Sequence, residues 1–140
     1  MYTYKALVHC LPYPNKLKLT SVINQSTTAT MDLLVVADHD FGIICQANAS
    51  YVGAMLVKVI DRNNTRELVV SRICVLPNHR RRGYGTAMMD AFKEELKTGE
   101  RAVIHIDKND PWWHTQLLEQ WGWTLESDDD TTQMYVLTCV

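Results

Sequence analysis

Long apolar stretches are what this sequence lacks most clearly. No run approaches the roughly 18 to 20 residues that a bilayer-spanning helix requires. Met1 to Cys10 has neither a basic start nor a small-residue cleavage site, so export is not expected and the cytoplasm is the expected compartment. An excess of one charge is also missing: 14 Lys and Arg against 16 Asp and Glu leave a net charge of −2. That is too little for a general nucleic-acid or membrane-surface binder. Cysteines at short spacing are absent too. Cys10, Cys45, Cys74 and Cys139 lie far apart in apolar, strand-like runs, which argues against zinc and redox motifs and favours reduced core thiols. No metal is expected. There is no repeat, linker or low-complexity segment, and 140 residues suit one core, so residues 1–140 are expected to form a single domain.

What is present is patterned. Tyr2 to Leu11 reads as a first strand, ended by Pro12 and Pro14. From Asn15 to Met31 the Ser, Thr and Asn content weakens any helix, although Leu17, Leu19, Val22 and Ile23 could line one face of a short one. Leu33 to Ala37 is a strand or a helix, because five consecutive apolar residues carry no period. Phe41–Ala47, Tyr51–Ile60 and Glu67–Leu76 are apolar runs joined by short polar connections, the pattern of antiparallel hairpins. Met88, Met89, Phe92 and Leu96 repeat at helical spacing between Thr86 and Lys97, with Gly99 as a stop. Ala102 to Ile106 then reads as a strand and Pro111 to Trp121 as a helix, with Trp123 to Glu126 and Gln133 to Val140 as a final strand pair. This order predicts an α/β sheet with helices on both faces.

The chemistry concentrates between Val75 and Thr86, where the last strand of the meander runs into the amphipathic helix. A helix start exposes unpaired N–H groups and the positive end of the helix dipole, which together favour a phosphate. Gly83 and Gly85 remove side chains from that approach, and Arg80, Arg81 and Arg82 add positive charge at its rim. The spacing matches neither the glycine pattern of dinucleotide folds nor that of P-loops. A solvated basic turn, or a nucleic-acid patch made by the three arginines, is the competing reading of the same residues.

Val75, Pro77, Arg80, Gly83 and Gly85 fill the pattern Val-x-Pro-x-x-Arg/Gln-x-x-Gly-x-Gly, which resembles the signature of the GNAT superfamily of acetyl-CoA-dependent N-acetyltransferases. The likeness extends to the element order from about Tyr51 onwards and to Gly122-Trp123, where the family usually has Gly-Phe. It implies a mixed, mostly antiparallel central sheet of about seven strands, with helices on both faces and splayed central strands. It also implies that backbone amides from Arg80 through Arg81, Arg82, Gly83, Tyr84 and Gly85 to Thr86 bind the pyrophosphate of acetyl-CoA. By the same likeness, the Ile73-Cys74-Val75 backbone pairs with the pantetheine arm and Asn109 touches it.

The acceptor amine must lose a proton, an oxyanion must be stabilised, and the thiolate must leave or be protonated. The resemblance implies an oxyanion donor in the backbone near Val75, and an acid in a tyrosine four residues before the Gly-Phe pair. That position is Leu118 here. Candidate bases are Glu67, on the strand parity of Val75, then His105 and Asp107 on one face of the next strand, and His114 beyond it. Glu126, Asp128, Asp129 and Asp130 in the last hairpin could draw a cationic amine, or form a hydrated acidic turn. Trp112, Trp113, Trp121 and Trp123 read as core in preference to a ligand platform, with a homodimer contact between those two readings. The function expected is acetyl transfer to a primary amine of a small molecule or protein. The alternative is an inactive coenzyme A-binding module acting through protein contacts, suggested by Leu118.

Overall fold

A computed structural model describes residues 2–26, 30–109 and 115–139. Seven strands form one sheet in the order β1-β2-β3-β4-β5-β7-β6. They are β1 (Tyr2–Leu7), β2 (Phe41–Ala47), β3 (Ser50–Arg62), β4 (Thr65–Val75), β5 (Arg101–Asp107), β6 (Thr124–Asp128) and β7 (Thr132–Thr138). All neighbouring strands are antiparallel except β4 and β5. Among the described residues there are four α-helices: α1 (Tyr13–Ser26), α2 (Leu33–Ala37), α3 (Tyr84–Glu95) and α4 (Thr115–Gln120).

The hairpins follow their turn residues. Asn63 and Asn64, both at positive φ (50° and 64°), join β3 to β4 through a two-residue turn, and asparagine tolerates that left-handed backbone. β3 is buried continuously from Tyr51 to Val57 because both its faces are covered, which is why the run does not alternate. On one face Met88, Met89 and Phe92 of α3 pack with Leu118 and Trp123 against Ile43, Met55, Leu68 and Ile104. On the other, Leu19, Val22 and Ile23 of α1 and Val36 of α2 cover Ile44, Ala54, Leu56 and Cys74. Each fully buried Leu, Ile or Met contributes about 1.5–3 kcal/mol of transfer free energy. Gly53 admits α3 this closely: a Cβ there would lie 2.9 Å from the Cys74 carbonyl oxygen and 3.1 Å from Met88 Cε.

Two expectations are revised and one open alternative is resolved. β1 stops at Leu7, and the chain turns through a short 3-10 helix at Val8–Cys10, leaving Cys10 exposed rather than in the core. The Ser- and Asn-rich stretch forms a 14-residue helix, because burial of three apolar side chains on the sheet outweighs weak propensity. Leu33–Ala37 is helical, capped by Asp32, whose carboxylate accepts from the Val35 N–H at 2.9 Å.

Candidate active site

β4 and β5 pair only from Glu67 and Arg101 to Val70 and Ile104. Beyond that point β4 runs on to Val75 and β5 to Asp107 without pairing each other, so a slot opens between them. The parting coincides with a bulge. Val57 pairs with Val70 and Leu56 with Arg72, so Ser71 is an extra residue on β4. Leu76 N–H bonds to Val52 O at 2.8 Å. Alternation along the ladder therefore turns the main-chain groups of Cys74 toward β3 and those of Ile73 and Val75 toward the slot. Cys74 Sγ lies 3.6 Å from Ala54 O, and burial pushes its thiol up to about 11.

The bulge also changes the parity expected from sequence. Before it Leu68 and Val70 face α3, while after it Ile73 does and Cys74 faces α1. Glu67 and Val75 therefore point to opposite faces, because one inserted residue reverses the alternation. Glu67 also sits at the closed end of the β4–β5 pair. Its carboxylate accepts from Arg101 Nε at 3.0 Å and lies 3.6 Å from Arg62 Nε. It does not join the loop; it pins the two strands where they begin.

The loop after β4 contains a single 3-10 turn, Pro77–His79, before α3 starts at Tyr84. Arg81 and Gly83 both take left-handed backbone, at φ 64° and 80°, a geometry that folds successive N–H groups toward one concavity. Gly83 caps α3 without any side-chain hydrogen bond, and the first backbone bond of the helix is Ala87 N–H to Gly83 O at 3.0 Å. The N–H groups of Tyr84, Gly85 and Thr86 are thus left for an external acceptor. A Cβ at Gly85 would meet only the Trp121 ring, at 3.6 Å. The loop therefore fits a pyrophosphate.

The three arginines differ in role. Arg80 is a strut: its Nε donates to Val75 O at 3.1 Å and its guanidinium to Ser26 O, at the end of α1, at 2.9 Å. Arg81 and Arg82 are exposed. Tyr84 stacks on His79, with ring centroids 6.3 Å apart, and Thr86 Oγ1 accepts from Trp121 Nε1 at 3.2 Å.

On β5, His105 and Asp107 are exposed on the segment that has left β4. They lie on the face opposite Ile104 and Ile106, which point to the α3 core. One Asp107 oxygen accepts from Asn109 N–H at 2.8 Å, closing the turn that carries Asn109. Leu118 is fully buried, so an apolar side chain in the core fills the position at which sequence reasoning sought an acid. Trp123 is core, stacked on Phe92, while Trp121 packs over the start of α3. Asp110, Pro111, Trp112, Trp113 and His114 lie outside the described residues.

The acidic hairpin is largely committed internally. Asp129 accepts from the Thr131 and Thr132 N–H groups, which hold its carboxyl down at about 2. Asp128 pairs with Lys108, and Glu126 with Arg101 at 3.4 Å. Sequence reasoning missed the pair formed by His39 and Ser71. His39 Nε2 lies 2.8 Å from Ser71 Oγ, and His39 Nδ1 lies 2.9 Å from Val35 O. Thirty-two positions separate the two residues, and alternation from Val70, which faces α3, sets Ser71 on the α2 side.

An open, seven-stranded mixed sheet, parted between β4 and β5 beside a bare helix start, defines an α/β fold. The model of the acetyltransferase (GNAT) domain family matches residues 32–135, and the chain belongs to this family. No curated protein matches it by sequence. Among solved structures it is similar to Arabidopsis thaliana Naa50 in complex with the bisubstrate analogue CoA-Ac-MVNAL, with a TM-score of 0.81 and 10% identity over 99% of this chain and 100% of that one. The ribosomal-protein-S18-alanine N-acetyltransferase of Escherichia coli gives a TM-score of 0.72 and 12% identity, over 99% and 96%. The PaiA N-acetyltransferase of Thermoplasma acidophilum, in complex with coenzyme A, gives 0.69 and 12%, over 99% and 100%. These likenesses establish the fold, a mixed and mostly antiparallel seven-stranded sheet with helices on both faces. No helix among the described residues is long and apolar enough to cross a membrane.

Proposed function

We propose that this chain is an N-acetyltransferase that moves an acetyl group from acetyl-CoA to a primary amine, within one domain over residues 1–140. The observation that carries this reading is the coincidence of two features. β4 leaves β5 after Val70 and Ile104, and the same strand leads through residues 76–83 into the uncapped start of α3. A ligand with an extended arm and a pyrophosphate fits both at once.

The chain's own groups then divide the work. N–H groups of the loop from Arg80 to Thr86 hold the pyrophosphate, with Arg81 and Arg82 adding charge at the rim. Main-chain groups of Ile73 and Val75 line the slot as a strand edge would, and Asn109 lies at its far lip. An N–H group near Val75 meets the oxygen on which charge develops. His105 stands on the free segment of β5 and takes the amine proton, directly or through water; Asp107 is held by its own turn. With Leu118 apolar, the departing thiolate takes its proton from solvent.

The acceptor is an amine that does not depend on the hairpin carboxylates, since Glu126, Asp128 and Asp129 already have partners. The structures of Naa50 with a peptide-bearing analogue and of the S18-alanine enzyme make a free peptide N terminus the first acceptor to test. The test is mass spectrometry of acetyl-CoA incubated with the protein and three acceptors: the pentapeptide Met-Val-Asn-Ala-Leu, spermidine and Nα-acetyl-lysine amide. An acetylated product from any of them supports the reading. If acetyl-CoA protects the fold against heat but no product forms, the inactive coenzyme A-binding module suggested by Leu118 stands instead. No protection would sink both.

A further inference from the structure

A donor whose pyrophosphate rests at the start of α3 enters the slot from the α3 face of the sheet. Its acyl group is then presented toward the opposite face, the one covered by α1 and α2, and the amine must arrive from there. On that face, one step beyond the last paired residues Val70 and Ile104, come Ser71 on β4 and His105 on β5. The bulge leaves Ser71 without a ladder partner, and alternation from Val70 sets its hydroxyl toward His39, just after α2.

The hydrogen-bond directions follow from the acceptors. Val35 O can only accept, so His39 Nδ1 carries the hydrogen. In the neutral ring Nε2 is then an acceptor, and Ser71 donates its hydroxyl hydrogen to it. His39 is buried, with 7% of its surface exposed, whereas Ser71 is only half-buried. The lone pairs of Ser71 Oγ are thereby kept for a donor arriving at the mouth of the slot.

We propose that Ser71 contacts the acceptor amine, and that His39 is a positioning residue that holds Ser71 in its accepting orientation. This rests on the acetyltransferase reading above. The neutral amine donates one N–H to Ser71 Oγ and presents the other to His105 or its water, which leaves the nitrogen lone pair aimed at the thioester carbonyl. Ser71 forms no covalent bond, and its own hydrogen stays on His39. The pair also tethers α2 to the bulge, so the acceptor side of the slot and the point of strand separation are held together.

The experiment measures steady-state kinetics with the best of the three acceptors named above, for the unaltered protein, Ser71→Ala, Ser71→Thr, His39→Asn and the double variant. Ser71→Ala is expected to lower kcat/KM for the acceptor by at least about tenfold with KM for acetyl-CoA held, and to lower the melting temperature no more than His39→Asn does, since the buried His39 Nε2 loses its partner. Ser71→Thr, which keeps the hydroxyl, restores most of it. If His39 acts through Ser71, His39→Asn adds nothing to the loss already present in Ser71→Ala. Undiminished transfer by Ser71→Ala overturns the proposal alone, as does a loss confined to melting temperature or to acetyl-CoA binding. Additive losses remove the part assigned to His39. Absence of transfer by the unaltered protein removes the acetyltransferase reading, and this proposal with it.

Discussion

Trp121 Nε1 donates a hydrogen bond to Thr86 Oγ1 at 3.2 Å, and the same ring lies 3.6 Å from where a Cβ of Gly85 would be. The end of α4 thus braces the first turn of α3, the turn whose N–H groups are free. Trp121→Ala is expected to cost about 2 kcal/mol, less than a fully buried tryptophan because the ring is only partly covered. Acetyl-CoA affinity should fall with it, since the helix start loses its brace. Calorimetric titration alongside thermal unfolding checks both. Retained affinity would show that α3 holds its own N terminus.

Gly83 and Gly85 are expected to separate stability from binding. Gly83 sits at φ 80° with nothing within 4 Å of a Cβ, so Gly83→Ala pays only the left-handed backbone penalty, about 1–2 kcal/mol. Gly85 has no positive φ, and an added methyl meets Trp121 at ordinary contact distance. Gly85→Ala should therefore fold normally and bind acetyl-CoA less tightly, because the methyl occupies the phosphate approach. Equal melting temperatures for both variants would contradict this division.

Glu67 is expected to act on stability and not on chemistry. Its buried carboxylate pairs with Arg101, itself 40% exposed, so Glu67→Gln should cost about 1–2 kcal/mol after allowance for solvent at the arginine. The rate constant for transfer at saturating substrates should hold at a temperature where the variant is folded. A kcat that collapses while stability is kept would restore Glu67 as a base.

Arg66 ties the start of β4 to the chain before β5. Its Nε donates to Glu100 at 2.8 Å and its guanidinium to Glu95 O at 3.2 Å. The hydrogen bond from Arg66 holds the Glu100 carboxyl below its ordinary value. A depressed carboxyl contributes stability that is complete above the unfolded value, about 4.3, and is lost as pH falls through the folded one. Glu100→Gln should thus be less stable than the unaltered protein at neutral pH, with the gap narrowing below about pH 4. Denaturant melts at several pH values test this; a constant gap would mean that the pair contributes nothing through its charge.

Much of the frame was legible because it is local. The β2–β3–β4 meander carries its turns in Asn48 and in Asn63-Asn64, and the spacing of Met88, Met89 and Phe92 is a helix on its own. α1 was not legible, since its propensity is poor and its stability comes from the sheet beneath Leu19, Val22 and Ile23. The parity read between Glu67 and Val75 misled for a different reason. Parity counting assumes an unbroken strand, and nothing in Val70-Ser71-Arg72 announces a bulge.

The sequence by itself determined the run from Val75 to Thr86, because glycine spacing, a preceding strand and a following helix are all encoded within a few residues. Tertiary structure alone decided which side chains meet at the slot. It set Glu67 at the closed end, committed the hairpin carboxylates to Lys108, Arg101 and the turn at Thr131, and brought His39 onto Ser71. Those contacts depend on how the strands pair and how α2 docks, and neither leaves a period in the sequence.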